Sequence, residues 1–136
     1  VVDYKTGVQA TRKIKEIEEI FSDANISQKH SDYYLQALLY SLIVDNSTKY
    51  NRQKDCVSPA LLFIKQASKE DYNPVLEIDS KKITNVREYK EEFEKCLKEV
   101  LQEIFNTTLP FTPTADKTRC EKCTYRRICR VNSVES

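Results

Sequence analysis

The chain has 136 residues and a net charge of +1, so it can form one domain with a buried core but carries no overall field that attracts nucleic acid. A single glycine and four prolines argue against a turn-rich all-β fold. The sequence shows neither an apolar run long enough to cross a bilayer nor a signal-peptide pattern, and we therefore expect a cytoplasmic protein without a membrane partner.

The first seven residues, VVDYKTG, predict a strand that ends at Gly7, because two β-branched residues open the run. Side chains alternate across a strand, so Asp3 and Lys5 are expected on the same face. A carboxylate beside an ammonium can hold a divalent cation and still offer positive charge to an anionic substrate. The alternative to a metal site is an exposed ion pair on an edge strand, which is the usual role of an Asp-x-Lys pair considered alone.

Apolar periodicity predicts three helices. They cover residues 11–22, residues 33–44 with Ser31 or Asp32 as the cap, and residues 86–105. The middle helix is apolar almost all round and is expected to be buried. The last helix is expected to face the core through six residues: Phe93, Leu97, Val100, Leu101, Ile104 and Phe105.

Two further strands are predicted after a polar stretch at residues 45–55. Residues 59–64 form a continuous apolar run, which is typical of a strand covered on both faces, and residues 75–78 form a second strand nearer an edge. This order of elements predicts an α/β fold with a small mixed sheet flanked by helices. The sheet is thin for its helices and the chain opens in mid-strand, so we expect the N-terminal part of the domain to lie outside it.

Gln36 and Tyr40 stand four residues apart and therefore share one face of the middle helix. A glutamine in an apolar helix is costly unless its amide finds partners. The pair is a candidate to face Asp3 and Lys5 and to touch a phosphate, a metal-bound water or a base. A glutamine bonded to nearby backbone and a tyrosine in the core are the alternative.

Five cysteines are an odd number, which excludes a closed disulfide framework. Cys120, Cys123 and Cys129 have C-x2-C-x5-C spacing, which suits zinc or a [4Fe–4S] cluster, and unligated thiols are the alternative. Cys96 is expected to be buried and to act as a small apolar residue. Cys56 lies in a polar loop and is a possible fourth ligand, although nothing in the sequence requires it to be one. We expect the fourth ligand to lie outside this chain.

Basic residues surround these thiols and form a candidate DNA-binding patch. They are Lys117, Arg119, Lys122, Arg126, Arg127 and Arg130, against Asp116 and Glu121. The patch could equally neutralise an anionic metal–thiolate centre or remain solvated.

His30 precedes a helix and is expected to be a capping or surface residue. We divide the chain into a core at residues 1–115 and a cysteine-rich module at residues 116–136.

Three segments in this order resemble the PD-(D/E)XK nuclease superfamily, in particular its RecB/AddB-like branch. They are DYKTG at residues 3–7, LQALLY at residues 35–40 and the three-cysteine segment at residues 113–129. The resemblance covers nearly the whole chain. It implies a restriction-endonuclease-like core, a Mg²⁺- or Mn²⁺-dependent DNA exonuclease of repair or recombination, and a helicase module or partner subunit.

The resemblance also implies residue roles. Asp3 would be a metal ligand, with the main-chain carbonyl of Tyr4 as a second, and Lys5 would position the attacking water and stabilise phosphate charge. Gln36 and Tyr40 would line the site. In the family, another acidic ligand and the fourth cluster cysteine come from an upstream region that this sequence lacks. We therefore expect little activity from the chain alone.

Two other functional classes fit the same residues. One is a non-catalytic nucleic-acid-binding or scaffold module in which zinc or an iron–sulfur cluster supports a small knuckle. The other is a redox- or metal-sensing domain that uses Cys120, Cys123 and Cys129.

Overall fold

The computed structural model describes residues 1–7, 13–22, 30–112, 114, 120–121 and 123–129. The strands and α-helices are β1 (Val2–Lys5), α1 (Ser31–Asn46), β2 (Ala60–Phe63), β3 (Glu77–Ile78), β4 (Lys81–Lys82) and α2 (Lys90–Ile104). In the residues described, 3₁₀ helices occur at Ile17–Phe21, Ile64–Gln66 and Val86–Tyr89. The predicted α/β class is confirmed. Within the described ranges, no helix combines the length and the apolar composition needed to span a bilayer.

The strands β1 and β2 run parallel, with Val2 opposite Ala60 and Lys5 opposite Phe63. Parallel neighbours need a long crossover, and α1 supplies it. Val75 makes an antiparallel bridge to Ala60, so the sheet around β2 is mixed, as predicted.

The predicted strand at residues 75–78 is shorter than expected and pairs with a strand that was not predicted. Only Glu77–Ile78 is regular, and it pairs antiparallel with Lys81–Lys82. Asp79 and Ser80 link the two strands with φ of 49° and 61°, the left-handed pair of a tight hairpin turn.

The predicted helix at residues 11–22 is wrong over the residues that are described. Lys13 to Glu16 is not helical, and only Ile17–Phe21 forms a short 3₁₀ helix. Residues 11 and 12 lie outside the described ranges. Ile14, Ile17 and Ile20 are all buried. Residues spaced three apart lie on one side of a 3₁₀ helix as well as of an α-helix. The apolar pattern alone therefore does not distinguish a 3₁₀ helix from an α-helix.

The two long helices are confirmed, but each carries more exposed apolar surface than expected. In α2 the core contact is made near its start by Phe93, whose ring lies 5.4 Å from that of Phe21. The prediction that Leu101, Ile104 and Phe105 face the core is wrong, because all three are exposed and Phe105 is 78% exposed. Six of the sixteen residues of α1 are buried, but Ile43 and Tyr40 are exposed.

An ion pair fixes the C-terminal end of α1. Arg87 Nε donates to the two carboxylate oxygens of buried Asp45 at 2.9 and 3.0 Å, and Asn51 Nδ2 donates to Oδ1 at 3.4 Å. Hydrogen bonding from Arg87 lowers the pKa of the Asp45 carboxyl below its ordinary value of 3.8. This contact ties α1 to the 3₁₀ helix before α2 and so fixes the orientation of α1 over the sheet.

Phe93→Ala should lower the free energy of unfolding by about 3–5 kcal/mol, because it removes a fully buried ring. Phe105→Ala is the matched control on the same apolar stripe and should cost less than about 0.5 kcal/mol. Urea denaturation of both variants measures the difference. Equal losses would contradict the described boundary of the core.

The Asp45–Arg87 pair should also make stability depend on pH. Because the native pKa of Asp45 is lowered, its stabilisation is complete above the unfolded value of 3.8 and is lost as the pH falls through the native pKa. The difference in unfolding free energy between wild type and Arg87→Gln should therefore shrink below pH 3.8. Glu88→Gln, at an exposed neighbour, should follow the wild-type curve. A pH-independent difference for Arg87→Gln would argue against the ion pair.

Candidate active site

The strand β1 presents two charged side chains to α1. Lys5 Nζ lies 2.8 Å from Asp3 Oδ2, and these side chains are only 15% and 20% exposed. Val2 and Tyr4, which alternate with them, are exposed on the opposite face. The prediction that Asp3 and Lys5 share a face is confirmed, and the pair is largely shielded from water rather than freely solvated.

Helix α1 supplies the partners of Lys5. Lys5 Nζ donates to Gln36 Oε1 at 2.9 Å and lies 4.2 Å from the centre of the Tyr33 ring. Gln36 Nε2 in turn donates to Tyr40 Oη at 3.2 Å. Tyr33, Gln36 and Tyr40 follow the i, i+3, i+7 spacing of one helical face. Asp3, Lys5, Gln36 and Tyr40 therefore form one continuous chain of contacts, here called the contact chain.

The contact chain has a defined direction. The Gln36 carbonyl accepts from Lys5, and its amide donates to Tyr40, so the tyrosine hydroxyl acts as an acceptor in this bond. A hydroxyl carries one proton, which is then directed toward another acceptor. Tyr40 is 45% exposed, so that proton can reach a group arriving from solvent.

The main chain of β1 also offers an oxygen. The amino group of Val1 donates to Ser58 O at 2.9 Å, and Ala60 N donates to Val1 O at 2.8 Å. Alternate residues of a strand direct their main-chain groups to the same neighbour, so Asp3 and Lys5 also face β2. The carbonyl of Tyr4 therefore points to the other edge of β1, away from β2.

These oxygens fit a hard divalent cation. The Asp3 carboxylate and the Tyr4 carbonyl are ligand types that Mg²⁺ accepts, and Asp3 Oδ2 is buried with an ion-pair partner but no hydrogen bond. No set of three or more His, Cys, Asp or Glu side chains is assembled for metal binding in the described part of the chain. Mg²⁺ commonly completes its shell with water and substrate phosphate. Among the described residues no strand pairs with the edge of β1 that faces away from β2, so these ligands would have access there.

Sequence patterns did not identify Tyr33 as a site residue. Its position three residues before Gln36, on the same helical face, was the available signal. The N-cap of α1 is His30, so the prediction of Ser31 or Asp32 as the cap is wrong. The His30 side chain makes no capping hydrogen bond. Instead its ring stacks on Tyr33, with centres 4.9 Å apart and planes 9° apart.

The cysteine-rich module is described in part. Main-chain turns link Cys123 N to Cys120 O at 3.2 Å and Cys129 N to Tyr125 O at 3.3 Å. In the ranges described, these thiols are not brought into a metal-binding group. Cys96 is buried, as predicted, and burial raises the pKa of its thiol.

The predicted DNA-binding patch is also only partly described. Arg126 and Arg127 are exposed, and Arg126 Nη1 donates to Glu121 O at 3.2 Å. The other predicted members lie outside the described residues: Lys117, Arg119, Lys122 and Arg130.

A double-mutant cycle tests the geometry of the site independently of activity. Lys5→Met leaves a shielded carboxylate without its cation, which should cost about 1–3 kcal/mol of unfolding free energy. In an Asp3→Asn background the same change should cost less, with a coupling energy of about 0.5–3 kcal/mol. The exposed pair Lys13–Glu77, 3.9 Å apart, is the control and should give about 0.2–1 kcal/mol. Equal coupling in the two cycles would contradict the shielded ion pair.

One comparison with known proteins is informative. A family model described as the PD-(D/E)XK nuclease superfamily matches residues 1–130, which include the whole contact chain. No curated protein and no solved structure gives a significant match. The α/β arrangement of helices around small sheets agrees with the restriction-endonuclease-like core predicted from the sequence. The chain belongs to the PD-(D/E)XK nuclease superfamily.

Proposed function

We propose that the contact chain is the catalytic centre of a metal-dependent deoxyribonuclease that hydrolyses phosphodiester bonds. The observation that carries this proposal is the Lys5 ammonium, held between Asp3 and Gln36 at 2.8 and 2.9 Å in a member of a nuclease superfamily. Gln36 connects this ammonium to the exposed Tyr40 hydroxyl, which leaves a hydroxyl donor available to an anionic group arriving from solvent.

Each residue has a role that its surroundings support. Asp3, with the Tyr4 carbonyl, would hold Mg²⁺ or Mn²⁺, and the ion would supply Lewis-acid stabilisation of the phosphate charge. Lys5 orients the attacking water and offsets negative charge that develops on the phosphate. Gln36 accepts a hydrogen bond from the Lys5 ammonium and connects it to Tyr40. Tyr40 donates a hydrogen bond from its hydroxyl to a phosphate oxygen.

The finer assignment is an exonuclease of the RecB/AddB-like branch, acting in DNA repair or recombination beside a helicase module or partner subunit. Its support is the DYKTG segment together with the C-x2-C-x5-C spacing of Cys120, Cys123 and Cys129. The [4Fe–4S] cluster, or zinc, stays a prediction from that spacing. The described thiols do not form a ligand group, and no step of the reaction depends on them.

Digestion of end-labelled DNA by the intact natural protein, with Mg²⁺ or Mn²⁺, tests the proposal. Asp3→Ala and Lys5→Ala should each lower the rate constant on the order of 10²–10³-fold, because each removes charge stabilisation of the transition state. Tyr40→Phe should cost about 10-fold, the loss of one hydrogen bond to a charged oxygen.

Lys98→Ala is the matched control, because Lys98 is an exposed lysine on α2 with a single 4.0 Å contact to Glu94. It should digest DNA at the wild-type rate. Digestion by Asp3→Ala and Lys5→Ala at that same rate would remove the catalytic assignment and favour the non-catalytic nucleic-acid-binding module.

A further inference from the structure

We propose that Tyr33 is a positioning residue whose ring fixes the direction of the Lys5 ammonium. The catalytic consequence of this contact rests on the proposed nuclease function, while the contact itself does not. Tyr33 belongs to the same face of α1 as Gln36, one turn closer to the start of the helix. It reaches Lys5 through its ring and not through its hydroxyl.

Among the described residues, the ammonium of Lys5 contacts three groups. Two are oxygens, Asp3 Oδ2 at 2.8 Å and Gln36 Oε1 at 2.9 Å. The third is the Tyr33 ring, whose centre lies 4.2 Å from Nζ, within the range of a cation–π contact. A lysine side chain has a flexible stem with many rotamers, so a third contact beyond the two oxygens restricts its position further.

The Tyr33 ring packs against two other rings. The Phe63 ring on β2 lies 6.2 Å away, centre to centre, and the His30 ring stacks at 4.9 Å with a 9° angle between the planes. At the exit of β1, a Cβ built on Gly7 would lie 3.7 Å from Tyr33 Oη, so a residue with a side chain there would contact the hydroxyl. The two ring contacts restrict the Tyr33 ring, which gives the more flexible lysine a defined surface to lie over.

His30 is part of this arrangement. It has a φ of 50°, an uncommon conformation for a residue other than glycine. In this conformation its ring lies nearly parallel to that of Tyr33. A residue in an uncommon backbone conformation therefore lies at the start of α1, where its ring stacks on the Tyr33 ring that contacts Lys5.

Two substitutions separate the ring from the hydroxyl. Tyr33→Phe keeps the aromatic face, and Tyr33→Leu keeps apolar bulk without it. The ε-methylene signal of Lys5, identified by its loss in Lys5→Met, should be shifted upfield by the ring current in a ¹H–¹³C NMR spectrum of the wild type and of Tyr33→Phe. In Tyr33→Leu it should move to the position of an ordinary exposed lysine.

The kinetic consequence should follow the same division. Tyr33→Leu should lower kcat about 10-fold with an unchanged KM for DNA, because a misplaced ammonium affects the reaction more than binding. Tyr33→Phe should retain the wild-type kcat. Tyr50→Leu is the control, since Lys49 lies 5.1 Å from the ring of this exposed tyrosine, and it should change neither the Lys5 signal nor kcat.

An unshifted Lys5 signal in the wild type would overturn the proposal by itself. The proposal can therefore be tested even if Tyr33→Leu does not fold. Equal damage from Tyr33→Phe and Tyr33→Leu would assign the effect to the hydroxyl and also overturn it. A shifted Lys5 signal in a protein that digests no DNA would leave the contact standing and remove the nuclease function instead.

Discussion

The Asp3–Lys5 ion pair is the interaction on which the rest of the site depends. Two opposite charges on one face of β1 would be an ordinary surface pair if they were solvated. Here α1 covers them, and the side chains are 20% and 15% exposed. Shielding makes each charge costly to leave unpaired and makes the position of every neighbour matter. Gln36 meets this requirement by accepting from the ammonium and connecting it to Tyr40.

The scaffold explains why these groups meet. Because β1 and β2 are parallel, the chain must cross over between them, and α1 is that crossover. The same crossover places the first turns of α1 beside the end of β1, where Lys5 lies. The opposite end of α1 is held by Asp45 and Arg87. A polar contact far from the site thus fixes the helix that presents Gln36.

Much of this was predictable because it follows from local periodicity. Strand alternation placed Asp3 and Lys5 together, and helical spacing placed Gln36 on a face with its tyrosine partner. The 3₁₀ helix Ile17–Phe21 was missed because spacing by three does not distinguish it from an α-helix. Tyr33 was missed because an aromatic residue on an apolar helix has the pattern of a core residue. Only the three-dimensional structure shows that a lysine lies over its ring.

The central claim is that the contact chain is a cation-dependent site centred on Asp3. Mn²⁺ titration followed by paramagnetic broadening of backbone amide signals tests it most directly, without requiring activity. Broadening should be centred on Asp3, Tyr4 and Lys5, with little effect at Cys96, and should be lost in Asp3→Asn. Broadening that is absent from β1, or that is the same in Asp3→Asn, would contradict it.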